Sequence, residues 1–217
     1  MRHGNSNPLI IIGCGGLGRE VASLMMGSDW DLIGFIDDNQ QGFTIEGYPI
    51  LGTVKSLLEM NTVPQVAIAI ADPCTRRRIF LKLSEAGIKI ATLVHPNSII
   101  SPFVSIGEGS IVCNNTTLTT NVTLGKCCIV NPGCFIGHDT IIGNWSSLMP
   151  HSKIAGEVVV GEGSYFGINS AVINRTTVGE WSVVGAGATV TKKIPSFSLA
   201  VGVPAKVIKR LDNIICD

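Results

Sequence analysis

His138 and Asp139 are the adjacent pair in this chain best suited to moving a proton. A carboxylate beside an imidazole fixes the ring tautomer and raises its basicity. Neighbours in sequence need not touch, however, and a histidine in an exposed turn is common, so spacing leaves a general base and a solvated turn both open. A second constellation is Gly13-Cys14-Gly15-Gly16-Leu17-Gly18, which follows an apolar run and opens a helical stretch. Glycine lets backbone approach a phosphate, and a helix N-terminus offers unpaired N–H groups and the positive end of its dipole. Asp37 and Asp38 close the next apolar run about twenty residues on, where a carboxylate can reach a ribose or a base. By itself this reads as a dinucleotide fold, so a nicotinamide oxidoreductase is a rival. Arg76, Arg77 and Arg78 form a helix-face cluster and are expected to be solvated. Lys192, Lys193, Lys206 and Arg210 give the C-terminal end a basic character that suits either phosphates or plain solvation.

Two kinds of element must position these groups. In residues 1–90, apolar runs alternate with helical stretches. Strands are expected at Leu9–Ile12, Leu32–Ile36, Val66–Ile70 and Ile88–Leu93, with an extended excursion at 44–51. Helices are expected over 18–26, near 54–59, and from Pro73, a good first-turn residue after Asp72, to about Ala86, where Gly87 stops it. Continuous apolar strands alternating with helices imply a parallel sheet covered on both faces. The stretch is too short for two mononucleotide halves, so one nucleotide fits it better than two.

Residues 91–217 obey a different rule. Every sixth position from Val94 through Val190 is large and apolar, without insertion or deletion. Directly after the apolar residue often comes Gly, and four residues after each comes a small side chain (Ser, Thr, Val, Cys or Ala), Ile194 excepted. Period six is neither helical nor a simple strand alternation. It fits short flat strands joined by turns, with every sixth side chain in one narrow core. Asn114, Asn115, Asn121, Asn131, Asn144, Asn169 and Asn174 suit the left-handed backbone such turns need.

Composition narrows the function. Sixteen basic residues balance sixteen acidic ones, so neither nucleic acid nor a polycation is an expected partner. The longest apolar runs are strand-sized, so no membrane span is expected, and the N-terminus is a poor signal peptide. Seven cysteines with no CxxC pair argue against a zinc site or a disulfide framework and for a reducing cytoplasm. A zinc carbonic anhydrase of repeat fold would need three histidines at suitable spacing, which the repeat lacks. Cys128 and Cys134 fall on the small inward place, a poor position for a nucleophile.

Runs such as IGEGSI, IGHDTI, VGEGSY and VGEWSV resemble the hexapeptide-repeat acyltransferases. Taken with GCGGLGRE, GFIDD and VGVPAKVIK, nearly the whole chain is similar to their nucleotide amino-sugar N-acetyltransferases, with the sialic-acid O-acetyltransferases as relatives. The resemblance implies an α/β plus β architecture, a small Rossmann-like domain followed by a left-handed parallel β-helix with three hexads per coil. It implies acetyl-CoA as co-substrate and a nucleotide-linked 4-amino-4,6-dideoxy sugar as acceptor, in the biosynthesis of surface glycans such as lipopolysaccharide. Gly15, Gly16 and Leu17 then match phosphate-side contacts, Asp37 and Asp38 base-side contacts, and Ala71 the tip of a strand. His138 and Asp139 match a general base and its acidic partner. Counting one coil of three hexads, 138 + 18 = 156 puts Gly156 above His138, in the place that faces the thioester carbonyl. Some relatives carry a second histidine where this chain has Ser147, and His151 is out of step with it and is assigned to packing or a subunit seam. Ile168 and Ala186 match acetyl-CoA contacts, and Lys192, Lys193 and Lys206 are its expected phosphate partners; no metal is implied. The family closes its active sites in homotrimers. Sugar O-acetylation and a non-catalytic repeat scaffold are the alternatives.

Overall fold

A computed structural model describes residues 7–211, apart from 27, 40, 41 and 43. Backbone proximity divides the chain into two units, one reaching to Ala71 and joined by Thr75–Ala91, the other made of Asp72–Cys74 with the residues from Thr92 on.

The first unit is built on a five-stranded sheet. Its elements in chain order are β1 (Asn7–Ile12), α1 (Gly16–Leu24), β2 (Trp30–Ile36), β3 (Thr44–Ile45), β4 (Tyr48–Gly52), α2 (Val54–Leu58), β5 (Gln65–Ile68) and α3 (Pro73–Glu85). The sheet order is β3-β4-β2-β1-β5. β1 lies parallel to β2 and β5, whereas β3 and β4 form an antiparallel hairpin at one edge. The last four residues of β1 are buried, as an apolar run between two covered faces requires. α1 buries Gly18, Val21 and Ala22, one helical stripe. α2 is started by a capping box in which the Thr53 and Ser56 side chains each bond the other's backbone N–H.

The expected strand at Ile88–Leu93 is not formed. Ile90 makes a single bridge to Val66, and Leu93–Val94 instead pairs with Ile111–Val112 in the second unit. Gly87, at φ 70, ends α3, and the Ile88 N–H donates back to Leu83 O at 3.0 Å. That tight reversal leaves little extended chain before the repeat begins.

The second unit is a left-handed β-helix. Two-residue strands pair in parallel with a register of one coil, as in Leu118 with Ile136 and Ile136 with Ile154. Each pairing spans eighteen residues, so three hexads make one turn of the coil. Every sixth residue from Val112 to Val190 is buried in a single core. Val94, the first of the series, is 38% exposed, because no earlier coil covers it. Several of the small inward places hold buried hydroxyls that donate to a carbonyl fifteen residues ahead. Ser110 Oγ reaches Gly125 O at 2.8 Å, and Thr140 Oγ1 reaches Ala155 O at 2.9 Å. A buried hydroxyl left unpaired would be costly, and these are satisfied by the next coil.

The corners follow a stricter rule than residue type. From Gly109 to Gly187 every sixth residue has φ between 51 and 74. Asn115, Asn121 and Asn169 occupy such places, but Asn114, Asn131, Asn144 and Asn174 do not, contrary to expectation. Cys127, Asp139, Trp145, His151, Glu157, Arg175 and Trp181 take the left-handed conformation instead. The left-handed residue usually donates its N–H to the corner one coil back, as Asp139 N does to Thr120 O at 3.2 Å and Glu157 N to His138 O at 2.8 Å. That coil-to-coil bond fixes the backbone whatever side chain is present. Asn131 and Asn144 serve the coil differently: the Asn131 amide donates to Leu148 O, and Asn144 Oδ1 accepts from Lys126 N, each at 2.8 Å.

Cys14, Cys113, Cys127, Cys128 and Cys134 are buried and outside any disulfide. Cys74 departs from the expectation of thiols throughout, since it is disulfide-bonded. No described helix is long and apolar enough to cross a membrane.

Candidate active site

In the first unit a cavity of about 1620 Å³ opens beside the C-terminal ends of β1, β2 and β5, the usual ligand position on an open parallel sheet. Gly15, Gly16, Leu17, Asp37, Asp38 and Ala71 all line it. Gly15 precedes the first turn of α1, whose leading N–H groups have no partner within the helix. The glycines divide the work. A Cβ on Gly18 would fall 1.9 Å from Gly13 O, so Gly18 is required for loop to meet helix, whereas a Cβ on Gly15 or Gly16 would meet nothing within 4 Å. Those two keep the cavity floor low, which is what a phosphate approaching backbone needs.

The two aspartates also hold this site in shape. Asp37 Oδ2 accepts from the Cys14 N–H at 3.0 Å and from its thiol at 3.1 Å, and Oδ1 accepts from Asn39 N at 2.9 Å. Burial, and then the neighbouring Asp37, push the Cys14 thiol up to about 11. Asp38 Oδ1 accepts from Val54 N at 2.8 Å, at the start of α2. Charge in the cavity and the course of its rim are thus set by the same groups. The arginine cluster does not behave as one solvated face. Arg76 is fully buried, its guanidinium donating to Ile70 O at 2.6 Å and Ala71 O at 3.0 Å, so it clamps the tip that follows β5. Arg78 lines the cavity together with Lys82. Neither role is visible in a run of three arginines.

In the second unit His138 and Asp139 form the turn after Phe135–Ile136. His138 Nδ1 lies 2.8 Å from Asp139 Oδ2, with both side chains about half exposed. A carboxylate only accepts, so Nδ1 carries the proton and Nε2 is left as the acceptor. Gly156 is where counting coils puts it. A Cβ there would stand 2.5 Å from His138 Nε2, so it is the missing side chain that lets the imidazole and its basic nitrogen lie against the backbone. The Gly156 N–H donates to no group among the described residues. Three side chains to which the sequence reading gives no part in the site complete the corner. Asn121 Nδ2 donates to Asp139 Oδ1 at 2.7 Å, and Glu157 pairs with Arg175 at 3.1 Å. Asn121, and after it His138, hold the Asp139 carboxyl below its usual range, and Arg175 does the same for Glu157. The same addition of 18 that located Gly156 would have found Asn121.

Ile168 and Ala186 are one coil apart at a different corner, and Gly187 N donates to Ile168 O at 2.8 Å; Ile168 is 48% exposed. Lys192 and Lys193 are exposed in the turn after Thr189–Val190, which continues the sheet that carries Phe135–Ile136. Lys206 is exposed on Lys206–Arg210, which pairs antiparallel with Ser198–Val201. Ser147 is buried. Among the described residues no group of three His, Cys, Asp or Glu is placed to hold a metal ion.

Residues 8–83 match the family described as the PglD N-terminal domain. Over 118 residues the chain is 31% identical to GDP-perosamine N-acetyltransferase of Escherichia coli O157:H7, a stretch that covers 51% of this chain and only 53% of that relative. The acetyltransferase domain of PglB from Neisseria gonorrhoeae, solved in complex with acetyl coenzyme A, is 30% identical, with a TM-score of 0.89 over 94% of this chain and 100% of that one. PerB from Caulobacter crescentus, solved in complex with CoA and GDP-perosamine, is also 30% identical, with a TM-score of 0.87 over 93% and 97%.

Proposed function

The chain belongs to the hexapeptide-repeat nucleotide amino-sugar N-acetyltransferases, and we propose that it transfers acetyl from acetyl-CoA to the 4-amino group of a nucleotide-linked 4-amino-4,6-dideoxy sugar for surface-glycan biosynthesis. The observation that carries this reading is the corner at His138: an imidazole tautomer fixed by Asp139 at 2.8 Å, with its acceptor nitrogen lying against Gly156 where a side chain would otherwise stand. The nitrogen lone pair of the amino sugar attacks the thioester carbonyl carbon, the C–S bond breaks, and CoA leaves as the thiolate, which takes up the proton that His138 removes from the attacking nitrogen. His138 Nε2 takes the proton from the attacking nitrogen, and Asp139 stabilises the imidazolium. Gly156, through its N–H, meets the carbonyl oxygen as that oxygen gains charge. No acetyl-cysteine is formed. Cys128 and Cys134 are sealed in the core, and burial pushes the Cys134 thiol up to about 12, far from a thiolate at neutral pH.

In this reading the front cavity holds the nucleotide. Gly15, Gly16 and Leu17 meet its phosphates, Asp37 and Asp38 its base and ribose side, and Ala71 the edge beneath. The CoA chain lies along the coils past Ile168 and Ala186, with Lys192, Lys193 and Lys206 toward its phosphates. The assembly is a homotrimer, whose sedimentation should show no active monomer, and the enzyme is placed in the cytoplasm, which five of the six cysteines among the described residues suit, being outside any disulfide.

The test is thiol release from acetyl-CoA with a panel of GDP-, UDP- and dTDP-linked 4-amino sugars and free sialic acid. Turnover with one or more nucleotide amino sugars is the expected result. Turnover with sialic acid alone would make the chain an O-acetyltransferase, and none with any member would overturn the reading.

A further inference from the structure

We propose that Asn121, one coil before the catalytic corner, is a positioning residue that selects the orientation of Asp139 and through it the working tautomer of His138. The inference rests on the reading of His138 as the base. Asn121 and Asp139 occupy the same left-handed place in successive coils, with φ 60 and φ 57. Their backbones are therefore stacked by the fold, and their side chains leave the helix edge side by side. The Asn121 amide donates to Asp139 Oδ1 at 2.7 Å, and His138 Nδ1 meets Asp139 Oδ2 at 2.8 Å. Each carboxylate oxygen thus has its own partner, and the plane of the group is set by both. The amide orientation needs no assumption, because a carboxylate cannot donate to an amide oxygen.

Without this bond, a carboxylate that is 49% exposed would share its time among rotamers pointing to water. The next coil shows the alternative. Glu157 stands at the same place, at φ 59, but both of its oxygens lie 3.1 Å from Arg175 Nε. Of the two carboxylates flanking the imidazole along this edge, one is turned onto it by an amide and the other is bound by a guanidinium. The edge therefore sorts its charges by the partner one coil away, Asn121 on one side and Arg175 on the other.

The experiment is a steady-state comparison of Asn121→Gly, Asn121→Asp, Asp139→Asn, His138→Ala and the Asn121→Gly/Asp139→Asn double variant. Glycine accepts a positive φ without cost, so Asn121→Gly removes the donor and leaves the corner intact, with an unchanged Tm. The expected result is a fall in kcat of about tenfold with both KM values unmoved, and a larger fall for Asn121→Asp, which sets like charges side by side. In the double variant no further loss beyond Asp139→Asn is expected, since both changes remove one interaction. Normal kcat in Asn121→Gly while His138→Ala is crippled would overturn this inference and leave the base assignment standing. An equal additional loss in the Asp139→Asn background, or a change in KM alone, would also overturn it. Near-normal turnover of His138→Ala would instead sink the underlying reading.

Discussion

The β-helix carries two histidines on glycine-backed corners, and only one of them has the surroundings of a base. The His138 ring lies over Gly156 and the His151 ring lies against Gly133, each eighteen residues away in sequence. His138 is the residue before the left-handed corner, so that corner, Asp139, can turn its carboxylate onto the ring. His151 is itself the left-handed residue, at φ 62, and its N–H is committed to Pro132 O at 3.0 Å. Among the described residues its ring makes no hydrogen bond. A shift of one place in the hexad thus separates an oriented imidazole from an unassisted one. In a fold this regular, place within the repeat decides what a histidine can do, and residue type only permits it.

Five substitutions would break or sharpen that contrast. His138→Ala should lower turnover by about 10²–10⁴-fold at neutral pH, the range for a lost general base, with the fold retained by circular dichroism. Gly156→Ala should come next. Its Cβ would meet a movable ring and not backbone, so the helix should survive while the imidazole is displaced, and a displacement of this kind costs on the order of 10²-fold. Its counterpart, Gly133→Ala, forces a side chain onto φ +71 and against the His151 ring. That change should lower Tm and spare turnover, and the reverse pattern would erase the distinction between the corners.

Asp139→Asn should cost roughly tenfold, because it removes orientation and not the proton acceptor. Asn121 and His138 hold the Asp139 carboxyl below its usual range, so its ionised form persists on acidification until pH falls through that lowered value. A fall in rate between about pH 7 and pH 5 therefore belongs to another group, given ordinary carboxyl values near 4. Asp139→Asn should lower the plateau of the pH–rate profile and keep an acid limb, displaced to lower pH by the loss of the neighbouring negative charge. Loss of the limb would mean that Asp139 itself titrates there. The smallest effect is expected for His151→Ala, with turnover within a few-fold of the parent. A loss exceeding that of His138→Ala would reverse the assignment.

What could be read from sequence follows from how strongly each feature is repeated. The six-residue register is imposed on coil after coil, so its apolar places are plain and the position of Gly156 follows by addition. The four asparagines that lie off the left-handed places were misjudged because intrinsic preference is weaker than a coil-to-coil hydrogen bond. The Ile88–Leu93 run has strand composition, yet Gly87 spends its first residues on a helix-ending reversal and its last residues pair with the repeat. Arg76 stands beside two other arginines in a run that suggests solvation, but its guanidinium donates to the carbonyls of Ile70 and Ala71, which the turn between β5 and α3 brings back to it. In the front unit the glycine loop and both aspartates were legible as a cavity. Their bonds to Cys14 and Val54 were not, since they join segments whose spacing no local pattern records.

The eighteen-residue turn also limits how such a chain can change in length. An insertion of one residue in the repeat would throw every later side chain from core to solvent. An insertion of six keeps the core but carries each later corner a third of the way round, so that Gly156 would no longer back His138. Only a whole coil, eighteen residues gained or lost beyond the corner built from Asn121, His138, Gly156 and Arg175, returns each group to its partner. Growth of this half of the molecule is therefore quantised, and loops that lengthen it freely can leave only from its edges.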